Sequence, residues 1–524
     1  MVQKTYFLSK HGCAKNQVDG ELLVGALQKS GWTLLDTPEQ ASVIIVNSCG
    51  FIESAKKESL SAVFEAKKNY PNAKIVLAGC LAERYADELS TDLPEVDAFF
   101  GNGDVSKITD VFASLFDFER EMPNAHSSFF GTPSCNQYKK KVWLYPQVGV
   151  SCGARPKLFN YKASVYIKIT EGCSNCCTFC AIPLIRGAVR SRPIKDILSE
   201  MQAFIAAGVY EFNLIGQDLA AFSIEAKDSS VRLKQMKNKK LVAYTRPATH
   251  FKSALIASQE KQSEQCQESV NQGEYGDKSL SGLARLLKAI STLQGMFTIR
   301  LLYIHPDNFP HDILPIMVCD KRFLPYFDLP FQSADEHILK QMNRRGNRTV
   351  YQKLIDDIRN SFEKTVYGTA CIRTTFLVGF PGETEGAFNE TLLFLKEVRP
   401  LWSGVFEYSP EEDTPAFSFP NPVAKRISYA RKALLQDTQT QITTAELNKF
   451  VGKTFKCLVE EVIENTSDEN FFLLARAWFQ APEVDGCVVI PVYDEDMRYK
   501  YSEGSLVDVR ITAVRNLDLE GTLV

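Results

Sequence analysis

What most constrains the fold of this chain is a recurring change of rhythm. From residue 2 to about 120, short β-branched runs at 4–8, 43–47, 74–78 and 96–100 alternate with helical patterns such as 53–68. That alternation predicts an open parallel α/β sheet. A second series runs from about 161 to 446, with strands expected at 164–169, 211–215, 298–303, 326–329, 370–378 and 403–408. Six such units predict a partial TIM-type (β/α)6 barrel, whose chemistry would sit at the carboxyl ends of its strands. Between the two, residues 121–160 are polar and irregular and are expected to form a linker. Residues 222–278 break the second rhythm with Lys, Gln, Ser and Glu and little apolar period, as an insertion in a βα connection would. After a helical pattern at 423–448, the segment 447–524 reverts to short strands with glycine turns, at 454–459 and 505–511 among others, which predicts a small β-barrel. The expected domains are therefore 1–120, 161–446 and 447–524.

Composition sets the remaining bounds. At 524 residues, with 45% hydrophobic and 23% charged, the chain has material for roughly three domains. Its net charge of −3 supplies no bulk attraction to phosphate, so direct nucleic-acid binding is not expected. The first ten residues lack the pattern of a signal peptide, and no apolar run approaches a membrane span, so the expected address is the cytoplasm. Fourteen cysteines without a secretion signal favour metal ligation over a disulfide scaffold.

The sharpest local signal is the segment from Glu171 to Cys180, directly after the first barrel strand. Cys173, Cys177 and Cys180 form CxxxCxxC. Three thiolates on one loop can hold three irons of a 4Fe-4S cluster and leave the fourth open, and an open iron is what the amino and carboxylate groups of S-adenosylmethionine can chelate. Cys176 would satisfy the reversed spacing with Cys173 and Cys180; Cys177 is preferred because Thr178-Phe179 then puts an aromatic next to the last cysteine of the CxxC pair, as in the radical enzymes that this segment resembles. The competing reading is a zinc knuckle or a chance cluster of buried thiols, although a closed zinc site normally needs a fourth local ligand.

A second group is dispersed. Cys13, Cys49 and Cys80 each follow an expected strand of the first domain and precede a helix. In a parallel sheet all three would converge on the carboxyl edge, where such folds bind ligands, and could hold a second cluster. Taken singly, each is more often a small buried hydrophobe. The other seven cysteines show no such grouping.

The segments Gly12 to Asn16, Asn47 to Ile52, Cys173 to Pro183, Arg186-Gly187 and Ser191-Arg192-Pro193 together resemble the methylthiotransferase family of radical S-adenosylmethionine enzymes, over nearly the whole chain except about 222–278. Leu214 to Asp218, Arg300 to Pro306, Gly379 to Glu385 and Glu407 to Asp413 resemble its branch that modifies a ribosomal protein. The resemblance implies a methylthiotransferase domain, a radical barrel and a C-terminal TRAM domain. It implies two 4Fe-4S clusters, on Cys13, Cys49 and Cys80 and on Cys173, Cys177 and Cys180, with the first carrying the sulfur and the second cleaving S-adenosylmethionine. Gly379, Gly382 and Glu383 at a strand end, with Gln217 and Gln332, are candidate cofactor contacts; the alternative for such a Gly-Pro-Gly turn is a tight loop without a ligand. His305 is expected to be a packed strand-end residue.

Two branches of that family differ in target, an aspartate of ribosomal protein twelve of the small subunit or a modified adenine in tRNA. Gln332-Ser333-Ala334 departs toward the tRNA branch. From Leu447 onward, however, eight Lys and Arg stand against fourteen Asp and Glu. A tRNA-gripping domain should be basic, whereas an acidic one suits a basic ribosomal protein, unless the acids merely solvate a surface. An electron donor such as a flavodoxin is also implied. A reading from another class is a non-catalytic metal module that docks on the ribosome.

Overall fold

The computed structural model describes residues 4–117, 142–147, 149–223, 279–464, 471–492 and 500–524. Most of the expected linker and nearly all of the expected insertion lie outside them. The chain divides into two compact units: Met1–Phe159 with Glu171–Cys173 and Ala181–Arg190, and the remainder.

The first unit is a six-stranded sheet. Its strands are β1 (Thr5–Lys10), β2 (Thr33–Leu34), β3 (Val43–Ser48), β4 (Lys74–Gly79), β5 (Ala98–Phe100) and β6 (Val142–Trp143), in the order β2-β1-β3-β4-β5-β6 with every pair parallel. Helices α1 (Ala14–Lys29), α2 (Glu53–Asn69), α3 (Cys80–Asp92) and α4 (Ile108–Asp117) alternate with them. Central β3 is buried along its whole length, Asn47 and Ser48 included, as a strand covered on both faces must be. The register aligns Lys10 with Asn47 and Ser48 with Gly79, so β1, β3 and β4 end level with one another.

The unit also runs past the expected boundary at 120. Strand β6 pairs with β5, and Arg155 donates from Nε to the buried Glu21 carboxylate at 2.7 Å. The segment up to Phe159 thus completes the first unit, where the sequence had suggested a linker.

The second unit holds two sheets. Strands β7 (Ser164–Lys168), β10 (Glu211–Ile215), β11 (Thr298–Leu301), β12 (Phe323–Gln332), β13 (Cys371–Val378) and β14 (Trp402–Glu407) form the expected parallel sheet of six, in the order β14-β13-β12-β11-β10-β7; two-residue strands β8 (Thr170–Glu171) and β9 (Arg190–Ser191) precede β10 in the chain. Strands β15 (Thr454–Glu464), β16 (Phe471–Arg476), β17 (Val488–Val492), β18 (Leu506–Arg515) and β19 (Asp518–Leu523) close into the expected small barrel.

That small barrel supplies the floor of the large one. Glu211, the first residue of β10, accepts from Arg476 at 2.6 Å and pairs with Arg300. Arg300 also donates to the Trp478 carbonyl at 2.9 Å, and Trp402 donates from Nε1 to the Phe479 carbonyl at 2.7 Å. Tyr326 donates to Asp485 at 2.6 Å. Burial alone would raise the Glu211 pKa, but Arg300 and Arg476 hold it well below the usual carboxylate range. Three of the charges counted in the terminal domain, Glu460, Arg476 and Asp485, are therefore internal; the acidic excess falls on the others. Among the described residues, no helix is long and apolar enough to cross a membrane.

Candidate functional site

In the first unit the three cysteine loops leave adjacent strand ends and meet. Cys13 is the N-cap of α1, Cys49 follows β3, and Cys80 opens α3. A Cβ on Gly12, which holds φ +96°, would lie 3.6 Å from the Cys49 sulfur, and one on Gly50 would lie 2.7 Å from the Cys80 carbonyl. Two asparagines lock the loops together. Asn16 donates to the carbonyls of His11 (2.6 Å), Asn47 (3.1 Å) and Ser48 (3.3 Å), while Asn47 returns a bond to the Asn16 carbonyl at 2.7 Å. Cys49 N–H is held by Ser59 at 3.0 Å.

The electrostatics follow from this convergence. Burial, with Cys80 and Cys13 nearby, pushes the Cys49 thiol up to about 12. Burial also raises the Cys80 thiol, but Arg186 works against it, donating from Nη2 to the sulfur at 3.2 Å. Asn102 approaches the same sulfur at 3.6 Å. Arg186 pairs in addition with Asp19 at 3.0 Å and Glu171 at 2.6 Å.

In the second unit the other half of the local motif is fastened to loops at the carboxyl ends of the barrel strands. Asn175 donates to Asp218, after β10, at 2.7 Å, and Asn308, after β11, donates to Asn175 at 2.9 Å. Asn343, beyond β12, donates to the carbonyls of Asn175 and Cys176 at 3.1 and 3.0 Å. Thr178 N–H bonds the Met342 carbonyl at 3.2 Å, and Cys180 N–H bonds the Cys177 carbonyl at 3.0 Å.

Cys176 and Cys177 are placed differently. Cys176 takes φ +54° and is partly exposed, while Cys177 is buried with its sulfur 3.9 Å from His305 Nε2. Burial raises the Cys177 thiol and Arg344 lowers it. His305 itself is driven down to about 3, first by burial and then by Arg344, so its ring is neutral; its backbone N–H bonds Asp218 at 3.0 Å.

The candidate cofactor contacts share the same edge. Gln217 follows β10, Gln332 ends β12 with φ +70°, and Gly379 to Glu383 follow β13. Glu383 is engaged within its own turn: its carboxylate accepts from Gly379 N–H at 2.7 Å and from Arg431 at 2.7 Å. Ser333 is buried, its hydroxyl 3.2 Å from that of Thr391, which fits a packing role.

Residues 5–101 match the family described as Uncharacterized protein family UPF0004, and residues 451–524 match the TRAM domain. The ribosomal protein uS12 methylthiotransferase RimO of Treponema denticola is 49% identical over 98% of this chain and 99% of its own. The chain belongs to the RimO methylthiotransferase family. The RimO proteins of Bdellovibrio bacteriovorus and Syntrophotalea carbinolica are each 33% identical, over 100% and 98% of this chain and 98% and 95% of their own. Among solved structures, the radical S-adenosylmethionine methyltransferase TsrM from Kitasatospora setae aligns with a TM-score of 0.44 and 12% identity, over 79% of this chain and 75% of that one.

Both cysteine sets of this RimO-family chain fit thiolate ligation of a cluster. Among the described residues, no group of three His, Cys, Asp or Glu side chains stands close enough to hold a single metal ion. A cubane asks for something else, because each thiolate binds a separate iron. Burial raises the Cys49, Cys80 and Cys177 thiols, and the guanidiniums of Arg186 at Cys80 and of Arg344 at Cys177 act against it, toward the thiolate form that a cluster binds. The cations beside these thiols are not legible in the sequence. Arg186 stands 106 positions from Cys80 and Arg344 is likewise far from Cys177 in the chain, so local spacing pairs neither with its cysteine.

Proposed function

We propose that this RimO-family enzyme inserts a methylthio group at the β-carbon of an aspartate of ribosomal protein uS12, using two S-adenosylmethionine and two 4Fe-4S clusters. The observation that carries the proposal is the meeting of Cys13, Cys49 and Cys80, from three strand ends, around a buried arginine. The relatives' names supply the substrate.

The clusters, when bound, would supply the electron that cleaves S-adenosylmethionine and the site that delivers sulfur. Cys13, Cys49 and Cys80 would hold one, and Cys173, Cys177 and Cys180 the other. The chain's own contribution is position and charge. Asn16 and Asn47 fix the first set of loops, Asn175 and Asn343 the second, and the Arg186 and Arg344 guanidiniums favour the thiolates of Cys80 and Cys177 against their burial. His305, neutral, places an uncharged ring beside Cys177. Gln217, Gln332, Gly379 and Gly382 are the proposed edge against which S-adenosylmethionine lies, with Glu383 shaping the turn. The acidic composition of the TRAM domain suits a basic ribosomal protein, a flavodoxin-type donor would deliver electrons, and the compartment would be the cytoplasm.

The test is mass spectrometry of uS12 and of a tRNA hydrolysate after incubation of each with anaerobically reconstituted enzyme, reductant and S-adenosylmethionine. A methylthio group on uS12 alone is the expected result. Methylthiolated tRNA with unmodified uS12 would assign the chain to the other branch.

A further inference from the structure

Arg186 is held by three buried partners. Its Nη2 reaches the Cys80 sulfur at 3.2 Å and Asp19 at 3.0 Å, and its Nη1 reaches Glu171 at 2.6 Å. The side chains of Arg186, Asp19 and Glu171 are all at most 6% exposed. Three buried ionised groups are a poor way to stabilise a fold, since desolvation cancels most of their attraction and apolar residues of the same volume commonly do as well. The fold nonetheless sets this guanidinium against the sulfur of one of three converging cysteines. Only an arginine could do so while holding two carboxylates, because its planar fork directs several donors at once.

We propose that Arg186 is a positioning residue for the Cys13, Cys49 and Cys80 site, whose charge, partly offset by Asp19 and Glu171, sets how readily a cluster held there accepts an electron. The proposal rests on the cluster assignment given above. A cluster becomes more negative on reduction, so a cation donating to a ligand sulfur stabilises the reduced form and raises the potential. A carboxylate on that cation acts oppositely. Asp19 and Glu171 together therefore hold the site lower than Arg186 alone would.

The test uses the full chain with Cys173, Cys177 and Cys180 all changed to Ala, reconstituted anaerobically, so that only the first site can hold iron. Iron content should be about four per chain, and the midpoint potential is read by electron paramagnetic resonance during dithionite titration. Arg186→Gln should retain iron and shift the midpoint to lower potential. Arg186→Lys should recover part of that shift, and Glu171→Gln should move the midpoint the other way. Opposite signs from two substitutions at one contact are not produced by general loosening of the fold. If Arg186→Gln fails to hold iron, Glu171→Gln decides: a rise supports the proposal and an unchanged midpoint overturns it. Unmoved midpoints in both variants with iron retained would overturn the role of Arg186 and leave the cluster assignment standing. Adding Cys13→Ala distinguishes the two claims, because iron that survives it unchanged would remove the assignment itself.

Discussion

Cys13, Cys49 and Cys80 stand more than thirty residues apart and meet only because three parallel strands end level, whereas Cys173, Cys177 and Cys180 share a single short loop. The first set exists only when the sheet is folded and in register. The second has its spacing written into the chain and needs the barrel only to orient it, through Asn175, Thr178 and Asn343. A dispersed site is thus hostage to backbone packing, and a local one to the side chains that clamp its loop.

The largest effects should come from removing one thiol of each set. Cys13→Ala is expected to spare cleavage of S-adenosylmethionine and abolish methylthio transfer, while Cys177→Ala abolishes both; 5′-deoxyadenosine and modified uS12 are quantified by mass spectrometry. Methylthiolated uS12 from the Cys13 variant would erase the distinction between the sets.

Packing offers a sharper test. In Gly50→Ala the new Cβ would stand 2.7 Å from the Cys80 carbonyl oxygen and 2.9 Å from the Leu81 Cα, both backbone atoms that cannot swing aside. Iron per reconstituted chain should fall from about eight to about four, as one of two clusters is lost. Gly386→Ala, which meets nothing closer than 3.8 Å, should keep its full complement. Equal losses in both would show that the dispersed site is not specially sensitive.

Below the local site, the floor of the barrel can be broken without touching it. Arg476→Met leaves Glu211 and Glu460 without one shared cation in a buried setting and should cost about 3–5 kcal/mol in urea unfolding. Replacing both acids as well should restore part of that loss.

The smallest effect separates the sites by pH. His305 titrates at about 3 when folded and near 6.5 when unfolded, so the unfolded chain binds the extra proton between those values. Stability from this group is intact above about pH 6.5 and declines as pH falls toward 3, by about 2 kcal/mol at pH 5. His305→Gln should flatten the difference in denaturant midpoint between pH 7 and pH 5. An unchanged pH dependence would mean that the ring beside Cys177 titrates in the folded protein as it does in the unfolded chain.

Much of this was legible in the chain. The β-branched runs located both large parallel sheets because buried parallel strands need such runs. Glycines beside Cys49 and Cys80 marked the close approach. Strands β2 and β6 are too short to display a period, and the residues up to Phe159 read as a linker because Arg155 finds Glu21 across 134 positions. The Arg186 contact to Cys80 spans 106 positions and leaves no local trace. Charge counting in the terminal domain treated Glu460, Arg476 and Asp485 as surface, whereas burial turned them into the join with the barrel.

That join has an effect on the order of events during synthesis. Glu211, Arg300, Tyr326 and Trp402 are made long before Arg476, Trp478, Asp485 and Phe479, their partners. Until the last strands leave the ribosome, the nascent barrel carries charged and aromatic groups at an unsealed base, and shortening the gene from its 3′ end would leave that base open for good.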